Sequence, residues 1–305
     1  MSRYLIARTL HTLLVLLGVS AAAFLLVYLS GDPAAAMVSP DATQADVDRM
    51  RALMGLDRPL AEQYLRFLGR VLHGDFGNSY RFRTATWGLV SGRLPATLHL
   101  TVVSLAVALA LAIPLGMTAA LRRGKTLDVL ARTVATAGQS APVFWTGIMA
   151  ILLVAVRWRL LPPSGYEGWE SLVLPAGTLG FYSASELVRF VRNHTLDVLG
   201  EDYVRTAHAK GLANRAVLAR HVLRNTLIPV VTILGLRFGV LMGGAVVTET
   251  VFGWPGVGSL VVEAVSARDV PVVQASLMVT AAFVAVSNLL VDVAYTLIDP
   301  RITYR

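Results

Sequence analysis

The sequence predicts an all-α protein that crosses a membrane six times. Of its 305 residues, 55% are hydrophobic and only 15% are charged, and the mean hydropathy is +0.62. Because a soluble domain has about a quarter of its residues charged, this composition indicates that much of the apolar surface is buried in lipid. Long apolar runs alternate with segments rich in arginine and lysine, which is typical of transmembrane helices joined by loops.

The first apolar run covers residues 9–30 and follows Arg3 and Arg8. As a helix it spans about 33 Å, enough to cross a hydrocarbon core about 30 Å thick. The run is longer than the apolar part of a signal peptide, about 7–15 residues, so we predict an uncleaved anchor. The small residues at 34–36 leave cleavage as the alternative. Arg3 and Arg8 place the N-terminus in the cytoplasm.

A long region of mixed polarity follows at residues 31–95 and is predicted to lie outside the membrane on the extracytoplasmic side. Two stretches within it, residues 44–54 and 60–72, have the pattern of short amphipathic helices.

The remaining five spans form the predicted membrane core, residues 96–298. They cover residues 97–121, 129–158 with a kink at Ser140-Ala141-Pro142, 171–190, 227–247 and 273–297. The tail at 299–305 then lies in the cytoplasm, as does the N-terminal end of the first segment, residues 1–30.

Basic residues in the short loops set this orientation. The inner loops carry eleven of them and the outer loops three, as the positive-inside rule requires. The same distribution argues against nucleic-acid binding, because the net charge of +8 is spread between apolar runs instead of forming one basic face.

A charged segment at residues 201–231 predicts a helical hairpin on the cytoplasmic side. Its first helix begins at Glu201 and Asp202 and ends at Lys210 before Gly211, which places acids at the N-terminus and a glycine at the C-terminus. Asn214 is expected to cap a second helix that runs towards Pro229.

Catalytic and metal sites are not predicted in this chain. The segment 119–126, AALRRGKT, resembles a phosphate-binding loop, but a membrane helix precedes it and Ala119 replaces the first glycine. The six histidines show no metal-binding spacing, and the chain contains no cysteine. No cofactor is expected in the chain itself.

A few features inside the spans predict helix packing or a pathway. Gly235, Gly239 and Gly243 recur every four residues and favour close helix packing. Ionisable residues inside a span are costly, so Arg237 is a candidate for lining a pathway, where it could meet a carboxylate; the alternative is that it bonds to a neighbouring span. Glu186 is predicted to pair with Arg189. Asp292, one turn after Asn288, is expected to join two helices.

The residues around the hairpin resemble the EAA loop of the membrane subunits of binding-protein-dependent ATP-binding-cassette importers, most closely the dipeptide, oligopeptide and nickel branch. The matching residues are Tyr203-Val204-Arg205-Thr206-Ala207, Ala209-Lys210-Gly211-Leu212, Arg220-His221 and Arg224-Asn225 before Ile228-Pro229. Further matching motifs extend along the chain: Gly31-Asp32-Pro33, Gly55-Leu56-Asp57-Arg58-Pro59, Gly74-Asp75-Phe76-Gly77, Arg93-Leu94-Pro95, Gly243-Gly244-Ala245 with Glu249, and Asp299-Pro300-Arg301.

Two departures from the general EAA loop restrict the resemblance to one branch of the family. Arg205-Thr206-Ala207 stands where the general loop begins Glu-Ala-Ala, and Pro229 lies 18 residues after Gly211. Both features are similar to the peptide branch.

The resemblance implies a type I importer permease fold in the bacterial cytoplasmic membrane. It implies a coupling loop at 201–229 that docks on a cytoplasmic ATPase. The coupling residues would be Tyr203, Arg205, Thr206, Ala207, Ala209, Lys210, Gly211, Leu212 and Arg215.

The implied partners are a second, homologous permease subunit, two ATPase subunits or one fused, which bind ATP and Mg, and an extracytoplasmic substrate-binding protein. The region 31–95 and the loop with Phe252, Gly253, Trp254 and Gly256 are expected to contact that binding protein. Di- or oligopeptides are the expected cargo, and nickel or another small solute such as glutathione is the alternative. A stand-alone secondary transporter is the alternative from another class.

Overall fold

The computed structural model describes residues 2–29, 34–35, 38 and 41–298. Helices dominate this part of the chain, and its only extended pairing is an isolated antiparallel bridge between Asn78 and Ala85, so the all-α prediction is confirmed there. The motif Gly31-Asp32-Pro33 and the predicted tail at 299–305 lie outside the described residues.

The helices, in chain order, are α1 (Ser2–Leu29), α2 (Gln44–Leu53), α3 (Leu60–Leu72), α4 (Thr86–Leu121), α5 (Thr126–Ser140), α6 (Val143–Ala150), α7 (Glu170–Gly200), α8 (Asp202–Ala209), α9 (Asn214–Val217), α10 (Arg224–Gly244), α11 (Val246–Val251), α12 (Val257–Ser266) and α13 (Val270–Ile298). Two π-helical stretches, Ile151–Arg157 and Leu218–Leu223, continue α6 and α9. The chain forms two compact units, Met1–Thr97 with Pro255–Val286 and Leu98–Trp254 with Ser287–Arg305.

In the first unit, α2 and α3 form where the sequence predicts them. Thr43 caps α2, because its side chain accepts the amide hydrogen of Asp46 while the Asp46 carboxylate accepts the amide hydrogen of Thr43. Pro59 precedes α3, and Gly55 and Gly74 follow the two helices with φ of 70° and 75°. Glycine reaches this left-handed conformation without the strain that a side chain would add.

The core of the first unit joins the start of α4 to α12 and α13. Val90, Val257, Leu260, Val272 and Ala275 are buried in one cluster. Packing against this cluster explains why α4 begins at Thr86, eleven residues before the predicted start of the second span at residue 97. The last residues of the predicted extracytoplasmic region, 86–95, therefore belong to α4.

A buried carboxylate fixes a loop in the same unit. Asp269, which is 1% exposed, accepts the hydroxyl of Ser79 and the backbone amides of Tyr80 and Arg81, the last two at 3.1 and 3.3 Å. Arg81 also pairs with Glu263 of α12 at 3.1 Å. The segment around residue 80 is thus held by α12 and the turn after it.

In the second unit, α7 is the central helix and contacts α5, α6, α8, α10 and α11. Glycines allow its close approach to α4: a Cβ at Gly180 would lie 2.8 Å from the Ser104 carbonyl oxygen, and one at Gly116 would lie 2.7 Å from the Cβ of Val191. Any larger residue at either position would push the two helices apart.

The predicted kink at 140–142 is confirmed and is sharp. Helix α5 ends at Ser140, Pro142 caps the next helix, and the two are bent by 102°. Proline at the start of α6 is compatible with this geometry because its missing amide hydrogen is not needed there.

Within the described ranges, four helical segments are long and apolar enough to cross a membrane, namely Ile6–Leu26, Thr86–Leu121, Asn214–Gly243 and Val270–Val293. The bent pair counts as a fifth if it forms one span. The predicted fourth span, residues 171–190, lies in α7 and is not among them. Glu186 and Arg189 lower the hydropathy of this stretch, and fifteen α7 residues are buried within the protein. The six-span prediction is therefore not reproduced by length and composition alone.

Candidate functional site

The predicted hairpin is present and turns at Gly211. The amide hydrogens of Gly211 and Leu212 bond to the carbonyl oxygens of His208 and Ala207, at 2.9 and 3.3 Å. This pair of hydrogen bonds is a Schellman motif, which needs a residue in the left-handed conformation after the helix. Gly211 provides it, with φ of 76°.

The second arm differs from the prediction at both ends. Ala213 occupies the N-cap position of α9 and makes no side-chain cap, while Asn214 is the first helical residue. Its side-chain oxygen instead lies 3.3 Å from Nε2 of His208. Pro229 does not end the arm but lies inside α10, which the π-helical stretch joins to α9.

A small apolar core holds the two arms together. Val204 and Ala207 of α8 are buried against Val217 of α9 and Val222 of the π-helical stretch. Ala207, one of the predicted coupling residues, thus directs its methyl group into the hairpin's own core, and its contact with a partner stays a prediction. Burial of this cluster makes the hairpin an ordered structure instead of a solvated loop.

The other predicted coupling residues are exposed: Tyr203, Arg205, Thr206, Ala209, Lys210, Gly211, Leu212 and Arg215. Two of them, Tyr203 and Leu212, are large apolar side chains that are 42% and 44% exposed. Among the residues that the structure describes, Arg205 pairs only with the exposed Asp202 of the same helix, at 3.3 Å. We call these eight exposed residues the hairpin surface.

Tyr203 also links the arms through its hydroxyl. The side-chain amide of Asn225 donates to it at 3.1 Å and to the carbonyl oxygen of His221 at 2.7 Å. Partial burial raises the pKa of the Tyr203 phenol, and the nearby Glu201 carboxylate raises it further. The hydrogen bond from Asn225 acts in the opposite direction and lowers the pKa of the phenol, but burial is the larger effect.

A buried ion pair fixes the helix that leads into the hairpin. Asp128 of α5, 1% exposed, accepts two hydrogen bonds from the guanidinium of Arg192 of α7, at 2.6 and 2.8 Å. It also accepts the amide hydrogen of Gly124 at 2.9 Å. The sequence does not predict this pair, because 64 residues separate the partners and no motif joins them.

The same bond explains the segment that resembles a phosphate-binding loop. The amide of Gly124, which such a loop would offer to a phosphate, is occupied by Asp128. Helix α4 precedes the segment, where the nucleotide-binding motif requires a strand.

The charged residues inside the predicted spans pair differently from the prediction. Glu186 of α7 forms its ion pair with Arg237 of α10, and Arg189 donates to the side chain of Gln139 instead. The predicted Glu186–Arg189 pair is wrong because packing of α7 against α10 brings a second cation to the carboxylate.

The predicted glycine stripe is only partly buried. A Cβ at Gly235 would overlap the side chain of Val291, so this glycine allows α10 to approach α13. Gly239 is buried and Gly243 is exposed.

The loop expected to meet a binding protein turns its aromatic side chains inward. Phe252 and Trp254 are each 2% exposed. The Trp254 ring packs edge-on against Tyr166 with the centroids 4.8 Å apart. Gly253 is exposed and Gly256 is buried. The predicted contact by the Phe252 and Trp254 side chains is thus at odds with their burial, since both stabilise the loop from within.

Metal-ligating groups are not gathered in the described part of the chain, where no three histidine, aspartate or glutamate side chains lie close enough to hold an ion.

Comparison with known proteins gives two family matches. Residues 1–101 match the N-terminal family of binding-protein-dependent transport system membrane components, and residues 112–304 match the binding-protein-dependent transport system inner membrane component family. The glutathione transport system permease proteins GsiC of Escherichia coli strain K12 and Salmonella typhimurium strain LT2 are each 40% identical over 306 residues, covering 100% of both chains. A solved structure described as an amino acid ABC transporter with histidines aligns with a TM-score of 0.48 and 15% identity, over 70% of this chain and 94% of that one.

Proposed function

Since this chain belongs to the family of binding-protein-dependent transport system inner membrane components, and is thus an ATP-binding-cassette importer permease subunit, we propose that it forms half of the translocation pathway for short peptides. The full-length relatives at 40% identity favour glutathione, itself a tripeptide, as one such cargo. The chain does not hydrolyse ATP in this proposal; ATP and Mg are bound by its partners.

The single observation that carries the coupling role is the hairpin surface. Tyr203 and Leu212 expose apolar area on a segment that its own core keeps ordered. Arginine and lysine side chains beside them offer charge to a partner. An ordered, exposed element with apolar anchors and a polar rim suits docking into a groove of a cytoplasmic ATPase.

The proposed complex contains a second homologous permease subunit, two ATPase subunits or one fused, and an extracytoplasmic binding protein. In it the chain crosses the bacterial cytoplasmic membrane six times with both termini inside. Helix α7 is the sixth span in this proposal. Two of its charged residues have partners on other helices, since Glu186 pairs with Arg237 and Arg192 pairs with Asp128. The binding protein would contact residues of the region 31–95 and the exposed Gly253.

Purification of the tagged chain from its native membrane, followed by reconstitution into vesicles with the copurified subunits and the binding protein, tests this function. We expect ATP-dependent accumulation of labelled dipeptide or glutathione. Accumulation driven by a proton gradient without ATP, or a tagged chain that brings no ATPase with it, would contradict the proposal. Failure with both peptides but uptake of a nickel complex would replace the cargo and keep the coupling mechanism.

A further inference from the structure

Helix α3 lies alongside α1 instead of projecting away from it. The Tyr64 hydroxyl is 2.8 Å from the Ser20 hydroxyl and donates to the Leu17 carbonyl oxygen at 3.3 Å. The Phe24 ring packs on Tyr64 and Phe67, with centroids 5.5 and 5.7 Å apart. All three α1 residues lie in the C-terminal half of its candidate membrane span. This contact places α3 at the depth of one lipid leaflet or its headgroup region.

One edge of α3 exposes large leucines at this depth. Leu65 and Leu72 are 66% and 78% exposed and lie two helical turns apart, so they project from the same side. Leu17 of α1, which accepts the bond from Tyr64, is 47% exposed as well and belongs to the lipid-facing span. The leucine edge and Leu17 are thus exposed apolar side chains on two helices that contact each other.

A second edge of α3 is basic. Arg66, Arg70 and His73 follow at intervals of four and three residues, which aligns them along one side of the helix. Together with Arg58 they line a cleft of about 1030 Å³ whose wall also includes Asp75. A helix with one leucine edge and one basic edge has the composition of helices that lie in the plane of a membrane interface.

The cleft retains positive charge after its internal pairs are counted. Glu62 accepts from Arg58 at 2.6 Å and from Arg66 at 3.0 Å. Asp75 accepts the backbone amide of Gly77 at 2.8 Å. Arg70 forms no ion pair with another described residue, so its guanidinium donors are available to a ligand.

We infer that α3 is an interfacial helix and that the cleft binds the phosphate group of an anionic phospholipid. Phosphate oxygens match the forked donors of arginine. A phospholipid also supplies acyl chains for the leucine edge in the same layer, which neither free phosphate nor an acidic protein surface does. This inference depends on membrane insertion and not on the proposed cargo.

The depth of α3 can be measured directly because the chain contains no cysteine. We suggest single spin labels at Leu65→Cys and Leu72→Cys in the full-length chain, reconstituted in nanodiscs of phosphatidylglycerol and phosphatidylcholine. The control is Arg49→Cys in α2, a helix without buried residues whose Arg49 side chain is 76% exposed. We expect the α3 labels to collide more with oxygen and less with a water-soluble nickel chelate than the control label. Equal accessibility at the three positions would overturn the interfacial placement.

Lipid selectivity tests the cleft itself. Native mass spectrometry of the full-length chain in mixed micelles would count bound phosphatidylglycerol and phosphatidylcholine for the wild type, Arg66→Gln/Arg70→Gln and the control Arg49→Gln/Arg51→Gln. Because a basic residue near an anionic headgroup changes affinity about fivefold, we expect at least about a fivefold loss of phosphatidylglycerol in the first variant only. Unchanged binding, equal loss of both lipids, or displacement of the lipid by inorganic phosphate at equimolar concentration would refute the phospholipid site.

Discussion

Arg237 of α10 and Glu186 of α7 form an ion pair between two helices of the second unit. The two side chains are 22% and 37% exposed, so each charge is only partly desolvated. Their pairing explains how both ionisable residues are tolerated inside predicted spans.

Neutralising one partner of this ion pair should destabilise the protein more than neutralising both. Arg237→Gln or Glu186→Gln leaves the other charge uncompensated, and we expect a loss of roughly 1–3 kcal/mol, below the 3–5 of a fully buried pair. The double variant should recover much of this loss, since no lone charge remains. Thermal melting of the purified complex in detergent measures the loss of stability of each variant. If the loss in the double variant equals the sum of the two single losses, the two residues are not coupled.

Breaking the Asp128–Arg192 pair should destabilise the base of the hairpin. Asp128→Asn removes the charge that two guanidinium hydrogen bonds and the Gly124 amide use. With Arg192 left buried, we expect about 3 kcal/mol of destabilisation. Asp197→Asn is the matched control in solvent, because that carboxylate is 75% exposed. Equal melting temperatures for the two variants would contradict the role of Asp128.

Gly211 should be sensitive because of its backbone and not because of crowding. A Cβ at this position meets no atom within 4 Å, yet φ is 76°. A β-branched residue there costs about 1–2 kcal/mol, so Gly211→Val should distort the hairpin and lower uptake while insertion is retained. Gly211→Asn should be milder, because asparagine adopts this conformation more readily. Uptake into vesicles should be lower for Gly211→Val than for Gly211→Asn. Similar uptake by the two variants would rule out the conformational explanation.

Charge reversal on the hairpin surface should separate ATP hydrolysis from uptake. Arg205 is 74% exposed and pairs with Asp202, which is exposed as well, so Arg205→Glu should cost at most about 1 kcal/mol of stability. We expect normal insertion, severalfold lower uptake and ATPase activity no longer stimulated by the binding protein. Asp202→Asn breaks the same pair but keeps the arginine, and its uptake should remain near wild type. Wild-type uptake by Arg205→Glu would remove Arg205 from the proposed docking surface.

Loss of the Asp269 carboxylate should loosen a distant loop. Asp269→Asn presents an amide to the Tyr80 and Arg81 backbone donors, so at least one buried bond is lost, at about 1–3 kcal/mol. Hydrogen exchange around residues 79–82 should quicken, while exchange in the hairpin stays unchanged. Glu263→Gln removes only the exposed pair with Arg81 and should leave this loop protected.

Features that depend on neighbouring residues can be predicted from the sequence. The helix at 44–53 with its Thr43 cap, the helix at 60–72 after Pro59, the break at Pro142 and the turn at Gly211 all follow from local chemistry. Helix ends that tertiary contacts extend cannot be predicted in this way. Helix α4 begins at Thr86 because its first turns pack in a core with α12 and α13. No pattern in residues 86–96 predicts that core.

The sequence by itself determined a membrane protein of helices with a charged hairpin that turns at Gly211, because composition, apolar periodicity and a glycine turn are properties of each segment alone. Only the tertiary structure decided that Glu186 pairs with Arg237, that Ala207 and Trp254 face inward, and that Asp128 and Asp269 anchor distant segments. Those partners lie up to 190 residues away in the chain. Which side chains meet across such distances depends on how helices pack, and local sequence does not encode a partner's position.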